Sequence, residues 1–250
     1  MKLRNARVLV TGGTTGVGAA LVSLLLQAGS IVVTCGRDRD RCATLRSLHP
    51  GVHVVEIDLA KAGTARQLVE EAIGILGGLD VVINNAAIQV HEQFAPKPAD
   101  GIDGRIETEI ALNLSAPIEI TAAAMPALVG SKAAALVYVT SGLAVFPKKT
   151  APVYCATKSA LRTFAAAVRY QMSDDAAHVS VIDAVLPMVD TPMTAGRGSA
   201  SAKMSPQAVA QKIVDAIVRS RTTVYIGKAR LLPWLVRLAP SVGRRVLRDG

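Results

Sequence analysis

Short apolar runs and longer amphipathic stretches alternate along this chain from its first residues to about position 227. Runs too short for helices and rich in Val, Ile and Leu predict buried strands over residues 7–10, 31–34, 52–57, 79–83, 133–139, 178–185 and 222–226. Between them, apolar positions at helical spacing predict helices over 17–28, 38–48, 61–76, 105–128, 152–172 and 206–220. The punctuation agrees with this reading. Gly29 follows the first helix in a C-cap position, Pro50-Gly51 and Gly77-Gly78 mark turns, and Pro152 and Pro206 suit first turns of helices. Strands alternating with helices predict an α/β fold with a parallel sheet covered on both faces. A length of 250 residues suits one such domain, and with no repeat or linker in it the chain 1–250 reads as a single unit. Residues 196–202 (GRGSASA) form its most flexible-looking segment.

Half of the residues are hydrophobic and 19% are charged, which supplies a core and argues against disorder. Aromatic residues make up 3%, too few for a surface that reads single strands by base stacking. The net charge of +9 first suggests a nucleic-acid or membrane partner, but its location matters. In the last 23 residues Lys228, Arg230, Arg237, Arg244, Arg245 and Arg248 face only Asp249, leaving +4 for the other 227. The excess is local, so nucleic acid is not expected. Cys35, Cys42 and Cys155 form no C-x-x-C pair, which fits a reducing, cytoplasmic setting. The apolar run 8–10 is too short for a signal-peptide core, and no uninterrupted apolar run approaches about 18 residues. His49, His53, His91 and His178 show no metal-ligand pattern, so no metal is expected.

The first strand and first helix are joined by Thr11-Gly-Gly-Thr-Thr-Gly-Val-Gly18. Gly12 permits a tight turn, Gly16 lets backbone amides approach a pyrophosphate, and Gly18 lets the helix pack closely on the sheet. The spacing is G-x-x-x-G-x-G, and the missing Gly-Lys-Ser/Thr excludes a P-loop ATPase. At the end of the second strand, where an NAD site usually offers a carboxylate, the chain has Gly36-Arg37. Arg37 either clamps a 2′-phosphate, favouring NADP(H) over NAD(H), or joins Arg39 and Arg41 on a solvated helix face. Asp58 either meets the adenine or caps the next helix.

Tyr154 and Lys158 stand four apart on one predicted helix, which brings them to one face. An adjacent ammonium favours the phenolate and lowers the tyrosine pKa from about 10. Ser141 follows the fifth strand, at the end where open α/β sheets bind ligands, and its hydroxyl can donate to a carbonyl.

Together, Thr11 to Gly18, Asn84-Asn85-Ala86-Ala87, Asn113, Ser141 and Tyr154-x-x-x-Lys158 resemble the single-domain branch of the short-chain dehydrogenase/reductase family over about residues 5–227. The segments 84–89, 113–117, 141–144, 152–158 and 189–191 resemble its DltE-like subgroup. The resemblance implies a Rossmann-type doubly wound sheet in the order 3-2-1-4-5-6-7. It implies Tyr154 as general acid in reduction and general base in oxidation. Lys158 would tune that tyrosine and hold the nicotinamide ribose. Ser141 would orient the carbonyl, and Asn113 would hold a water of the proton relay at a break in its long helix. Cofactor contacts are implied for Gly12, Thr14, Thr15, Gly16, Val17, Gly18, Arg37, Asp58, Leu59, Asn85, Ala86, Ala87, Tyr154, Lys158, Pro187, Val189 and Thr191. Two positions depart from the family pattern: Ala87 and Met188 stand where glycine is usual.

The expected activity is hydride transfer between NADPH, or NADH, and a partly apolar carbonyl or secondary alcohol. The alternative is a catalytically silent nucleotide-sensing or scaffold protein on the same fold. Leu143, Val145, Phe146, Met188, Val189 and Met193 are candidates for an apolar substrate pocket beside Ser141, some of them being ordinary core. The segment 188–204 is a candidate substrate loop. Cys155 reads either as a redox reporter or as a small packed side chain. The basic, apolar tail 228–250 reads as an oligomer contact (homodimer or homotetramer) or as packing onto the domain, with membrane contact the lesser reading.

Overall fold

In a computed structural model, residues 1–95, 102–198 and 203–248 are described. Seven strands form one sheet: Arg7–Val10 (β1), Ile31–Gly36 (β2), Val52–Glu56 (β3), Val81–Asn84 (β4), Ala134–Ser141 (β5), Val179–Leu186 (β6) and Thr223–Tyr225 (β7). Their order is β3-β2-β1-β4-β5-β6-β7 and every pairing is parallel. This is the sheet that the sequence pattern and the family resemblance imply.

Alternation along each strand sends side chains to both faces, and both are covered. Val8 and Val10 enter a core shared with Gly16–Gln27 (α1) and Pro206–Val218 (α7). Leu9, between them, enters the opposite core with Thr64–Leu76 (α3), Ala116–Val129 (α5) and Pro152–Asp175 (α6). Arg39–Leu48 (α2) connects β2 to β3. At the N-terminal edge of the sheet Arg7 pairs with Asp80 at 2.7 Å, and the Ser131 hydroxyl donates to the same carboxylate at 2.7 Å. The clamp leaves the opposite, C-terminal edge open.

The helix expected over 105–128 is Ile102–Ile110 (α4) and α5, joined by a π-helical turn at Ala111–Ser115. That is the break expected at Asn113. The run Ile102–Val129 is apolar and long enough to cross a membrane, but it packs into the core and carries buried Glu109 and Asn113. It is a core helix. Helix α3 begins at Thr64 rather than at residue 61. Asp58 turns back on Ala60 N–H, and the Thr64 hydroxyl hooks the Lys61 carbonyl, so the preceding residues form a turn.

The tail contains the short helices Leu232–Leu238 (α8) and Pro240–Arg248 (α9). It packs onto the domain in part: a Cβ on Gly243 would lie 2.4 Å from the Phe146 ring, and Lys149 N–H donates to the Arg248 carbonyl. Leu231, Trp234, Leu238, Val242 and Val246 remain exposed. Of the flexible-looking segment 196–202, positions 199–202 lie outside the described residues.

Candidate active site

The C-terminal ends of the strands open into a cleft of about 800 Å³, centred where the sheet order reverses between β1 and β4. Ligands of open α/β sheets bind at such switch points. Gly12 and Gly16 have φ of +67° and +55°, so the turn after β1 needs both. A Cβ on Gly18 would lie 2.0 Å from the Gly12 carbonyl oxygen and 2.7 Å from Asn85 Nδ2. Gly18 thus serves the turn and β4 rather than helix–sheet packing. Helix α1 has no side-chain cap, so its first amides face the cleft free for an anion.

Two glycines escape a motif-based reading. A Cβ on Gly13 would fall 2.0 Å from Thr34 Oγ1, and one on Gly36 would fall 2.5 Å from Thr14 Cγ2. Both bring the turn down against β2. Thr11 ties the same turn to β4, because its Oγ1 accepts N–H bonds from Asn85 and Ala86, each at 2.9 Å.

All the expected cofactor contacts line this cleft: Gly12, Thr14, Thr15, Gly16, Val17, Gly18, Arg37, Asp58, Leu59, Asn85, Ala86, Ala87, Tyr154, Lys158, Pro187, Val189 and Thr191. Arg41 pairs with Asp38 and Arg39 approaches Glu56, whereas Arg37 has no ion pair among the described residues. The three arginines therefore do not form one equivalent solvated face. Asp58 does not cap α3, whose N-cap is Gly63; its side chain stays beside the cleft.

Ser141, Tyr154 and Lys158 converge at the other end of the cleft, with Leu143, Met188 and Met193 around them. Lys158 is buried, donates to the Val139 carbonyl at 3.0 Å and lies 5.8 Å from the Tyr154 ring centre. Burial pushes the Tyr154 phenol up to about 12, with hydrogen bonding from Ser141 opposing the rise. The expectation of a lowered tyrosine is thus corrected for the protein without ligand. Burial also brings Lys158 down to about 8, with the carboxylates of Glu109 and Asp183 opposing. At both groups desolvation outweighs the hydrogen bond and neighbouring charges that favour the ionised form.

Asn113 does not line the cleft. Its amide clips Ile88 by accepting from N–H at 2.9 Å and donating to the carbonyl at 2.8 Å, and its nitrogen also reaches Thr157 Oγ1 at 3.3 Å. With those donors engaged, further bonding at this position falls to Oδ1 and the backbone. One helical turn earlier, Glu109 is fully buried, accepts from Val90 N–H at 3.1 Å and is pushed up to about 7 by burial. No sequence motif marks Glu109.

Among the other expected pocket residues, Val145 and Phe146 pack with Ala229, Leu232 and Leu247 in a third apolar cluster rather than lining the cleft. Leu247 of α9 does line it. Cys155 is buried, with Lys148 N–H donating to its Sγ at 3.3 Å, which is the packed reading. The Met188 thioether lies against Gly198, where an added Cβ would sit 3.2 Å from sulfur. The base of the 188–204 loop is pinned by Asp190 N–H to Met204 O and by Met204 N–H to Met188 O.

The family model for short chain dehydrogenases matches residues 6–202. The uncharacterized oxidoreductase DltE of Bacillus subtilis (strain 168) is 40% identical over 192 residues, covering 76% of this chain and 74% of that protein. A dehydrogenase/reductase SDR family protein 7-like of Anopheles gambiae is 28% identical over 267 residues, covering 96% of this chain and 83% of its own. A short chain dehydrogenase from Burkholderia cenocepacia J2315, solved in complex with NADP, superposes with a TM-score of 0.84 at 23% identity, covering 100% of both chains.

Proposed function

The chain belongs to the short chain dehydrogenase family, and from that premise we propose that it is an NADPH-dependent carbonyl reductase, or the reverse alcohol dehydrogenase, acting on a partly apolar substrate. The observation that carries the reading is the convergence of Ser141, Tyr154 and Lys158 on one cleft with the glycine turn. The turn fits a dinucleotide: it presents uncapped helix amides, and its close packing leaves no room for a Cβ at Gly13 or Gly18. Arg37, which lines the cleft at the β2 end without an ion pair among the described residues, supports NADPH over NADH.

The nicotinamide, when bound, supplies the hydride. Ser141 orients the substrate carbonyl through its hydroxyl. Tyr154 stays protonated at neutral pH, since burial holds its phenol up, and so has a proton ready for the carbonyl oxygen. In the oxidative direction the phenolate is needed, and Lys158 beneath the ring stabilises it as an alcohol is deprotonated. Asn113 keeps Ile88 and the segment after β4 in place beside the turn of α6 that carries Tyr154 and Thr157. Leu143, Met188 and Met193 provide apolar walls.

Tyr154→Phe tests this assignment. Turnover should fall by about three orders of magnitude, within the range for losing a positioned acid–base group, while NADPH still binds. Unchanged turnover overturns the role of Tyr154. NADPH binding by the wild type with no oxidation across a broad carbonyl panel would favour the silent-scaffold alternative.

The reading extends to setting and assembly. One domain, in the cytoplasm, accords with three free buried cysteines. A homodimer or homotetramer accords with the apolar groove lined by Ile110, Leu114, Val153 and Ala156.

A further inference from the structure

Two cationic side chains, Lys148 and Arg197, line the reactive end of the cleft from different loops. Lys148 belongs to the β5–α6 loop, where its carbonyl accepts from Ala151 N–H at 3.3 Å and its N–H meets Cys155 Sγ. It is thereby fixed beside the first turn of α6, which carries Tyr154. Arg197 belongs to the loop after β6 and reaches across the cleft mouth to Gln89 Oε1. His91 follows on the same segment as Gln89. Lys148 and Arg197 both line the cleft.

Neither Lys148 nor Arg197 has an ion pair among the described residues. Several cations elsewhere are matched, among them Arg41 with Asp38, Arg162 with Asp183 and Lys203 with Asp190. The cations at the cleft mouth feel one another instead. Burial and then the Arg197 charge hold the Lys148 ammonium below its ordinary value, and burial, Arg197 and Lys148 do the same to His91. Arg197 also favours the Tyr154 phenolate, which puts its guanidinium within electrostatic reach of the reacting hydroxyl. Like charges gathered in a partly buried cleft are stabilised by an anion placed among them. The cofactor's 2′-phosphate has its own partner at the far end, where Arg37 lies beyond the glycine turn.

We propose that Lys148 and Arg197 form a subsite for an anionic group on the substrate. The compound reduced is then an oxo acid or an oxo-alkyl phosphate whose apolar body lies against Leu143, Met188, Met193 and Leu247. This rests on the carbonyl-reductase reading above. A guanidinium offers a carboxylate or phosphate two parallel hydrogen bonds, and the lysine adds a point charge.

The test separates the subsite from the chemistry. Decanoate, decyl phosphate and decanol are titrated by calorimetry into the NADPH-loaded wild type at low salt. At least one anion should bind at least about tenfold tighter than decanol, with an advantage that falls as salt is added. Whichever anion binds tighter names the headgroup. Lys148→Gln and Arg197→Gln should each remove most of that advantage and leave decanol binding unchanged, while Lys148→Arg should retain it. Equal binding of anions and decanol, or an advantage that survives both glutamine variants, overturns the subsite. In turnover, an oxo fatty acid should exceed its methyl ester at least about tenfold in kcat/KM, the same electrostatic preference read in the transition state. Equal turnover of acid and ester overturns the subsite and leaves the reductase reading standing. Anion-selective binding without any carbonyl turnover does the reverse.

Discussion

Replacing Thr11 by Val keeps the shape of the side chain and removes its hydroxyl. Thr11 is 2% exposed, so no water takes the place of that oxygen. Two backbone donors, the N–H groups of Asn85 and Ala86, lose their acceptor together. A buried donor left unpaired costs about 1–3 kcal/mol, and both residues are only partly buried, so about 2–4 kcal/mol in total is expected. For a domain of this size each kcal/mol moves Tm by about 2–4 °C, giving a fall of about 4–16 °C. Scanning calorimetry of the protein without cofactor measures it. Because the same bonds set the position of Asn85 and Ala86 in the cleft, KM for NADPH should rise severalfold. Thr11→Ser keeps the acceptor and should lose less than half as much Tm. A change of less than about 2 °C with an unaltered KM would refute the reasoning, since it would mean that the two donors find water or another partner.

Two further outcomes follow from the site. Arg37→Asp should raise KM for NADPH about tenfold or more and leave KM for NADH within about twofold, because a charge-assisted clamp on the 2′-phosphate is lost. If cofactor preference is untouched, the reading of the β2 end is wrong. Lys158 is buried and held down to about 8, so between about pH 8 and its ordinary value of 10.5 the unfolded chain binds the extra proton. The stability that Lys158 contributes to the cofactor-free protein should therefore rise with pH through that window, while the buried thiols of Cys35, Cys42 and Cys155, held up by burial, pull the other way above about pH 9. Thermal melts across it should show the wild type gaining on Lys158→Met, in which only the lysine's part is lost.

The sheet was legible in the sequence because each strand is a short β-branched run bounded by turn residues, and parallel strands buried on both faces carry little else. The Tyr154, Lys158, Ser141 set and the glycine turn were legible for another reason: spacing along one helix or one turn is local information. What escaped depends on contacts distant in sequence. Gly13 and Gly36 matter because of Thr34 and Thr14, which no periodicity reveals. Glu109 is hidden by the π-helical turn at Ala111–Ser115, which adds a residue to the helical repeat and shifts the faces before and after it. A single helical period drawn across 105–128 therefore misassigns its buried side. Tyr154 shows the same limit in electrostatics. Spacing places an ammonium beside the phenol, but burial of both groups, visible only in the fold, decides the direction of the shift.

The cleft is floored by neighbouring strands of one hydrogen-bonded sheet, with β1, β4, β5 and β6 side by side. No hinge runs beneath it. Ligand exchange therefore cannot proceed by two bodies swinging apart on the microsecond-to-millisecond scale; it falls to loops, which move in nanoseconds to microseconds. The 188–204 loop is anchored at its base through Met188, Asp190 and Met204, and the Arg197–Gln89 contact spans the mouth. Among the described residues, admission to the site involves the Arg197 side chain letting go of Gln89. The gate should open far faster than an enzyme of ordinary turnover, at about 1–1,000 per second, would need.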